Sequence, residues 1–299
     1  MLGAQFGITV ELAGGAMWMR RSLLAGLLVA ALGMVSCGGG NSPIVVAPPV
    51  AGGIQGNWHL LGGFGELKAP NFSLAIATNG NQIYGTGAVA SICPGDPFGA
   101  SGGFGVTLQG VIAADGSFAM KSAAGSTPTV VVNGKVPAVG ATAWSGSYES
   151  KLTGGSCPFD DKETFTAARL PDLTGTYTGT LTGIGLTGIG VTAKITQGTP
   201  VAGTTISGAT VYTTPLSASV TVSGTSCFTK GETIVPAAGE VSTVSGDYFD
   251  ISLRMDDGSQ LNLSGNFADV TGKTLLANSF VEVGSCKGDF WFGNLVAGS

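Results

Sequence analysis

Hydrophobic and polar residues alternate in short runs from residue 54 to the end of the chain, and no window there repeats at the period of a helix. The runs 72–76 and 106–112 are followed by Asn79-Gly80 and Asp115-Gly116. Such dipeptides are typical of tight β-hairpins, because their residues tolerate a left-handed backbone. Short strands separated by glycine turns about every 8–12 residues predict an all-β fold of antiparallel sheets, with the aliphatic residues facing inward.

The two halves of this region repeat one another. Gly56-Asn57-Trp58 opens the first half and Gly175-Thr176-Tyr177 opens the second. Further along, Gly155-Ser156-Cys157 corresponds to Gly284-Ser285-Cys286. A repeat of about 120–130 residues is too long for one unit of a solenoid, so it indicates two tandem domains.

The repeat predicts β domains over residues 54–171 and 172–299, joined at Leu170-Pro171-Asp172. Because this joint is so short, we expect the domains to touch. Each domain is long enough for an antiparallel β-barrel or meander. An immunoglobulin-like sandwich with an internal disulfide is the alternative.

The chain has five cysteines, and four of them occupy corresponding positions in the two repeats. Four cysteines allow three pairings, and only Cys93–Cys157 with Cys227–Cys286 respects the duplication. In an exported protein this arrangement predicts two disulfides. There is no C-x-x-C motif and the four residues lie far apart in sequence. We therefore predict no metal site and no redox pair.

The N-terminal segment predicts export. Arg20-Arg21 precedes an apolar run over 23–35, which is the pattern of a secretory signal peptide. Met34-Val35-Ser36-Cys37 then resembles the lipobox of bacterial lipoproteins, with a small residue before the cysteine and methionine where the family usually has leucine. In that family the cysteine thiol is diacylated and the signal is cut before it. An ordinary cleavable signal and an uncleaved anchor are the alternatives.

The lipobox resemblance implies a signal peptide over residues 1–36 and lipidation of Cys37. Residues 1–16 contain no basic residue, so we interpret them as an over-extended start. Glycine and proline in residues 37–53 predict a flexible tether. Gly38 is not the aspartate that retains such lipoproteins in the inner membrane, so the resemblance implies attachment to the outer membrane.

The order of motifs in the first repeat also carries a resemblance. Gly146-Ser147-Tyr148, Gly155-Ser156-Cys157 and the closing Phe165-Thr166-Ala167-Ala168-Arg169 resemble small tandem β domains of exported bacterial lipoproteins of uncharacterised role. The opening G-x-W is similar to that of lipocalin-like barrels. The second repeat differs from this pattern, because its closing segment, residues 290–294, lacks the arginine. The resemblance implies architecture only and no catalytic residues.

Charge and residue types limit the chemistry. Only 10% of residues are charged, the formal net charge is −5, and no basic run occurs. This balance argues against a nucleic-acid partner. His59 is the single histidine, which excludes a multi-histidine metal site. It adjoins Trp58, and we interpret it as an ordinary strand histidine. No motif for a cofactor is present.

Acidic residues are the best candidates for catalysis. They could bind calcium or hydrolyse glycosides, although turns and solvated loops account for them more simply. Three tryptophans are predicted to be core anchors rather than platforms for sugars. Small residues could leave a cavity inside a barrel or fill a narrow one. The acidic candidates are Asp160, Asp161, Asp247, Asp250, Asp256 and Asp257; the tryptophans are Trp58, Trp144 and Trp291; the small residues are Ala75, Ala88 and Ala119.

Together these features predict a non-enzymatic lipoprotein of the cell envelope. It would attach to the membrane through Cys37 and bind an apolar small molecule or an envelope protein, without nucleic acid, cofactor or metal. The alternative function is hydrolysis of an envelope polysaccharide by the acidic residues, Asp160 and Asp161 first among them.

Overall fold

Two antiparallel barrels follow one another along the chain, which confirms the all-β prediction. The computed structural model describes residues 51–64, 71–90, 103–154, 158–204, 210–225, 227, 233–236, 242–254, 258–284 and 286–298. Within these ranges the regular structure consists of strands and one short 3-10 turn, Ala51–Gly53. No described helix is long and apolar enough to cross a membrane.

The first barrel has eight strands, each paired with the next in sequence, and β1 closes the ring by pairing with β8. The strands are β1 Gly56–Leu61, β2 Asn71–Asn79, β3 Gln82–Ala90, β4 Gly103–Ile112, β5 Ser117–Ser122, β6 Thr129–Lys135, β7 Ala143–Leu152 and β8 Phe159–Arg169.

The second barrel closes in the same way, so each repeat forms a barrel rather than a sandwich. Its strands are β9 Gly175–Thr182, β10 Ile189–Gln197, β11 Val201–Thr204, β12 Thr210–Ser223, β13 Thr233–Pro236, β14 Thr243–Ser245, β15 Tyr248–Arg254, β16 Gln260–Phe267, β17 Thr274–Val283 and β18 Phe290–Ala297. The ring runs from β9 through β10 and β12 to β15, then β16, β17 and β18, which pairs with β9. The short strands β13 and β14 share the position between β12 and β15, and β11 pairs only with β12.

Alternation along each strand decides which side chains face the interior. In β10, Ile189 and Val191 are buried in the core, whereas Thr192 and Lys194 are exposed on the outer face. The predicted hairpin at Asn79-Gly80 joins β2 to β3, and Gly80 has a φ of 61° there. A left-handed backbone of this kind favours glycine, which explains the sequence signal.

Large side chains fill both interiors. Trp58 and Trp144 are buried in the first core, and Trp291 is buried in the second, as the core-anchor interpretation expects. The small residues considered for a cavity were placed wrongly, because alternation turns them outward. Ala88 pairs with Ser73 on the outer face of β2, and Ala119 pairs with the exposed Val111. None of them lines a barrel interior.

The segment between the barrels is anchored on both sides. The backbone N–H of Leu170 donates to the carbonyl of Asn57 in β1 at 2.9 Å. The side chains of Leu170 and Leu173 are buried in the core of the second barrel. Both barrels belong to one compact unit, residues 46–299, in agreement with the expectation that they touch.

Trp58 and Arg169 pair across β1 and β8 and stabilise the closure of the first barrel. The guanidinium carbon of Arg169 lies 5.2 Å from the centroid of the Trp58 ring, and its Nη2 donates to the carbonyl of Gln55 at 2.7 Å. The Trp58 indole N–H donates to the carbonyl of Ile54 at 2.7 Å. In the second barrel Tyr177 takes the corresponding place, opposite Ala297 and without an arginine.

Replacement of Arg169 by methionine tests this closure. We expect Arg169→Met to lower the free energy of unfolding of the first barrel by about 1–2 kcal/mol, because it removes a cation–π contact and a charge-assisted hydrogen bond. Tryptophan fluorescence during urea denaturation measures the change. Arg254→Met, at an exposed position in β15, is the matched control. Equal stability of the two variants would contradict the closure role.

Candidate functional site

Three buried polar side chains join the two barrels. His59 in β1, Ser73 in β2 and Asp247 between β14 and β15 are 6%, 1% and 4% exposed. His59 alternates with the inward residues Trp58 and Leu60, so it lies on the outer face of the first barrel. The turn that carries Asp247 reaches this face from the second barrel.

Asp247 is held by two side chains of the first barrel. Its Oδ2 lies 3.2 Å from Nδ1 of His59, and its Oδ1 accepts a hydrogen bond from Ser73 Oγ at 2.6 Å. Nε2 of His59 lies 3.0 Å from the carbonyl oxygen of Gly62. The ring of Phe64 stacks on the His59 ring at 4.0 Å and also packs against the core of the second barrel.

The residue types are those of serine hydrolases, but their arrangement is different. A catalytic serine donates to the histidine, which then passes the proton on. Here Ser73 donates to Asp247 instead, and the histidine nitrogens face Asp247 and the Gly62 carbonyl. Both nitrogens face oxygen acceptors, so the ring donates to both only when it carries two protons. We conclude that this group, the interbarrel lock, serves contact between the domains.

Further contacts extend the interbarrel lock along β3. Thr86 Oγ1 donates to the carbonyl of Tyr212 at 3.1 Å, and Ser245 Oγ donates to the carbonyl of Thr86 at 2.8 Å. The rings of Tyr84 and Tyr212 lie 4.7 Å apart. Gly246 has a φ of 64°, and a Cβ at that position would stand 2.5 Å from Ser73 Oγ. Only glycine allows so close an approach.

Asp160 and Asp161, the first candidates for carboxylate chemistry, lie on β8 and not in the loop that the sequence predicted for them. Asp160 lies on β8 and accepts a hydrogen bond from Lys151 of β7 at 2.7 Å. This hydrogen bond holds the pKa of Asp160 below its ordinary value. A general acid in glycoside hydrolysis needs a raised pKa, so the shift is in the opposite direction. Lys162 and Glu149 form a second cross-strand ion pair at 2.8 Å.

The other acidic candidates lie apart from Asp160 and Asp161. Asp247 belongs to the interbarrel lock, whereas Asp250 lies on the outer face of β15 and accepts a hydrogen bond from Asn262. Burial raises the pKa of Asp250, and the bond from Asn262 partly offsets that rise. Asp256 and Asp257 lie outside the described residues.

Among the cysteines, Cys227 and Cys286 form a disulfide, as predicted. Cys37, Cys93 and Cys157 lie outside the described residues, so the first disulfide and the lipidation site stay predictions. Cys227, Cys286 and Asp289 form the described cluster with atoms of metal-ligand type. Two of its three members are bonded to each other, and a disulfide does not offer the thiolates that metals need.

A polar depression on the first barrel contains no group suited to acid–base catalysis. It lies on β6, β7 and β8 and has a volume of about 660 Å³. It is lined by Asn133, Gly134, Ser145, Gly146, Ser147, Thr164, Phe165 and Thr166.

Inside the first barrel, Tyr148 is a buried titratable side chain. Burial first, and then the charges of Glu163 and Asp161, raise the pKa of Tyr148 to about 12. Its phenol therefore stays protonated at neutral pH.

Sequence reasoning missed the partner of His59. Asp247 is 188 residues away and Ser73 is 174 residues from Asp247, so no local motif connects them. The turn dipeptide Gly246-Asp247 carried a signal for a hairpin but none for a contact. No protein-family model matches the chain, and no curated protein matches it. Functional inference therefore depends on the geometry of these residues.

A double-mutant cycle tests the interbarrel lock. We expect Asp247→Asn to lower the free energy of unfolding by about 3 kcal/mol, because it breaks a buried pair of polar groups. His59→Gln and the double variant complete the cycle, with an expected coupling of about 1–3 kcal/mol. Asp160→Asn, which changes an exposed carboxylate, should leave the unfolding midpoint unchanged. Strictly additive effects of His59→Gln and Asp247→Asn would show that the two residues do not interact.

Proposed function

We propose that this chain is a non-enzymatic, lipid-anchored binding protein of the cell envelope that contacts its ligand with the outer surface of its joined barrels. The filling of both barrel interiors carries this proposal. The sequence left two ligand classes open, an apolar small molecule or an envelope protein. Filled interiors argue against an apolar molecule inside a barrel and favour contact with an envelope component at the outer surface.

The side chains that fill the barrels are large. Eight-stranded barrels have room for one small ligand only where the interior side chains leave it. In the first barrel Trp58, Leu108 and Met120 are fully buried in one core, and in the second barrel Trp291 and Phe249 are fully buried in the other core. A ligand in either interior would have to displace these aromatic and aliphatic groups.

The proposed site of attachment is Cys37. Its surroundings resemble a lipobox, and the part of the predicted tether that precedes the 3-10 turn Ala51–Gly53 would give the barrels reach from the membrane. Several acyl chains on one residue provide stable anchoring, at about 0.8 kcal/mol for each buried methylene. By the same resemblance, Gly38 favours the outer membrane.

A non-enzymatic role agrees with the places of the polar groups. His59 and Asp247 are engaged between the barrels, and Asp160 is paired with Lys151. The interbarrel lock and the buried Leu170 and Leu173 join the barrels, so the protein presents their outer faces together. Such an arrangement suits a protein that binds its ligand with the outer surface of both barrels.

Replacement of Cys37 tests the anchor. We expect Cys37→Ser to abolish incorporation of radiolabelled palmitate and to release the protein from the membrane fraction, because the acylated thiol is lost. Ser36→Ala keeps a small residue before the cysteine and is the control, which should stay lipidated. Labelled Cys37→Ser protein in the membrane fraction would rule out this anchor.

Native mass spectrometry tests the filled interior. Residues 38–299, exported to an oxidising periplasm and purified, should have the mass of the polypeptide alone, less about four hydrogens for two disulfides. Denaturation should release no apolar adduct. A lipid or other hydrophobic molecule that leaves on denaturation would contradict the outer-surface mode of binding.

A further inference from the structure

Twelve side chains form a regular grid on the outer face of four strands of the second barrel, here called the polar–aromatic face. They alternate with buried residues of β15, β16, β17 and β18, and the strand register aligns them in three rows. The first row is Tyr248, Asn266, Leu276 and Asn294; the second is Asp250, Ser264, Asn278 and Phe292; the third is Ser252, Asn262, Phe280 and Phe290.

Two aromatic rings stand side by side on this face. Phe290 and Phe292 are 46% and 49% exposed, although most phenylalanines of the described chain are buried. Their ring centroids lie 6.3 Å apart with the planes tilted by 33°. Phe280 pairs with Phe290 across the strands and widens the apolar area. The rings form an open platform onto which a flat apolar ligand surface can stack.

Amides and hydroxyls are interleaved with the rings. Ser264 Oγ donates to Asn278 Oδ1 at 2.8 Å, and Asn262 donates to Asp250. Each asparagine side chain offers two N–H donors and one oxygen acceptor. These bonds orient the amides and still leave donors and acceptors for a ligand that approaches from outside.

The charge of the polar–aromatic face is small. Asp250 is its one carboxylate, and none of the twelve positions carries a lysine or an arginine. Burial raises the pKa of Asp250, and the hydrogen bond from Asn262 partly offsets that rise. The next outward residue of β15 after Ser252 is Arg254, which lies outside the three rows. The twelve positions themselves present no cation to an anionic ligand, so they suit a neutral ligand best.

Alternation also distinguishes this face from an ordinary protein interface. Protein interfaces have a continuous apolar centre with a polar rim. Here every row mixes apolar and polar positions, and Asn278 lies directly beside Phe292. A ligand that matches this pattern must carry apolar patches and hydrogen-bonding groups at short intervals. Sugar rings do so, because their C–H faces are apolar and their edges carry hydroxyls.

We propose that the polar–aromatic face binds a neutral saccharide chain of hexose units, with Phe290 and Phe292 stacking on sugar rings and Asn278 bonding to hydroxyls. The proposal deepens, and rests on, the proposed function, since it names the ligand class of the outer surface. No bond is made or broken in the saccharide, because the face brings no second carboxylate beside Asp250.

Titration with defined oligosaccharides tests the assignment. The probes are cellohexaose, maltohexaose and mannohexaose, with hexagalacturonate as an anionic comparison, added to residues 38–299. Saturation-transfer NMR and calorimetry should detect binding of at least one neutral probe and weaker binding of hexagalacturonate. Phe290→Ala/Phe292→Ala should reduce affinity at least about tenfold, because it removes the stacking platform. Asn278→Ala should reduce it about fivefold.

The matched control is Val111→Ala/Val139→Ala, which removes two exposed apolar side chains from the first barrel. It should bind as the unchanged protein does. If Asn278→Ala does not fold, as judged by circular dichroism, the exposed Asn294→Ala replaces it, again with an expected loss of about fivefold.

Three results would overturn the assignment: no binding of any neutral probe, equal affinity of the control and the double phenylalanine variant, or preference for hexagalacturonate. In each case an adduct-free native mass would leave the proposed function standing without its saccharide. An apolar adduct in the native mass would instead remove the proposed function itself, whatever the titration shows.

Discussion

Closure of each sheet into a ring of eight strand positions is the constraint on which the rest of this structure depends. Strands in a closed barrel have an inner and an outer face, and the inner face of so small a ring has room for little besides side chains. The chain fills that space with tryptophan, phenylalanine and aliphatic residues. The outer faces, where threonine, serine and asparagine alternate with the core residues, are therefore the surfaces that we propose for ligand contact.

Two outer faces of the barrels differ in character. One, the face of the first barrel with His59 and Ser73, is covered by the turn that carries Asp247, so these polar groups contact that carboxylate. The other, the polar–aromatic face, is open and keeps exposed rings among amides. The same alternation of strand residues produces both faces. The first is covered by a turn of the neighbouring barrel, whereas the second is open, which is why we propose it as the binding surface.

The sequence predicted the all-β class, two tandem domains and the Cys227–Cys286 disulfide, whereas the choice between barrels and sandwiches needed the structure. Each depended on a signal that is local or duplicated, such as the hairpin at Asn79-Gly80 or the equivalent cysteines of the repeats. The wrong placement of Ala75 has an equally simple cause. Alternation tells which residues share a face, but an alanine beside larger aliphatic residues does not show which face is inside.

Contacts that join distant strands could not be predicted. His59 and Asp247 meet only because the β14–β15 turn reaches the first barrel, and the rows of the polar–aromatic face depend on exact register across four strands. A register shift of one residue would turn every one of those side chains inward. The register between strands is a property of the folded sheet, since the sequence of one strand does not specify it.

Hydroxyl-radical footprinting, compared between intact cells and the purified protein, tests the central claim most directly. Mass spectrometry measures oxidation of Phe290 and Phe292 on the outer face and of Trp58, Trp144 and Trp291 inside the barrels. The account predicts that the phenylalanines oxidise readily in the purified protein and are protected in cells, while the tryptophans are protected in both. Oxidised tryptophans in the folded, purified protein, or phenylalanines that react equally in both settings, would contradict it.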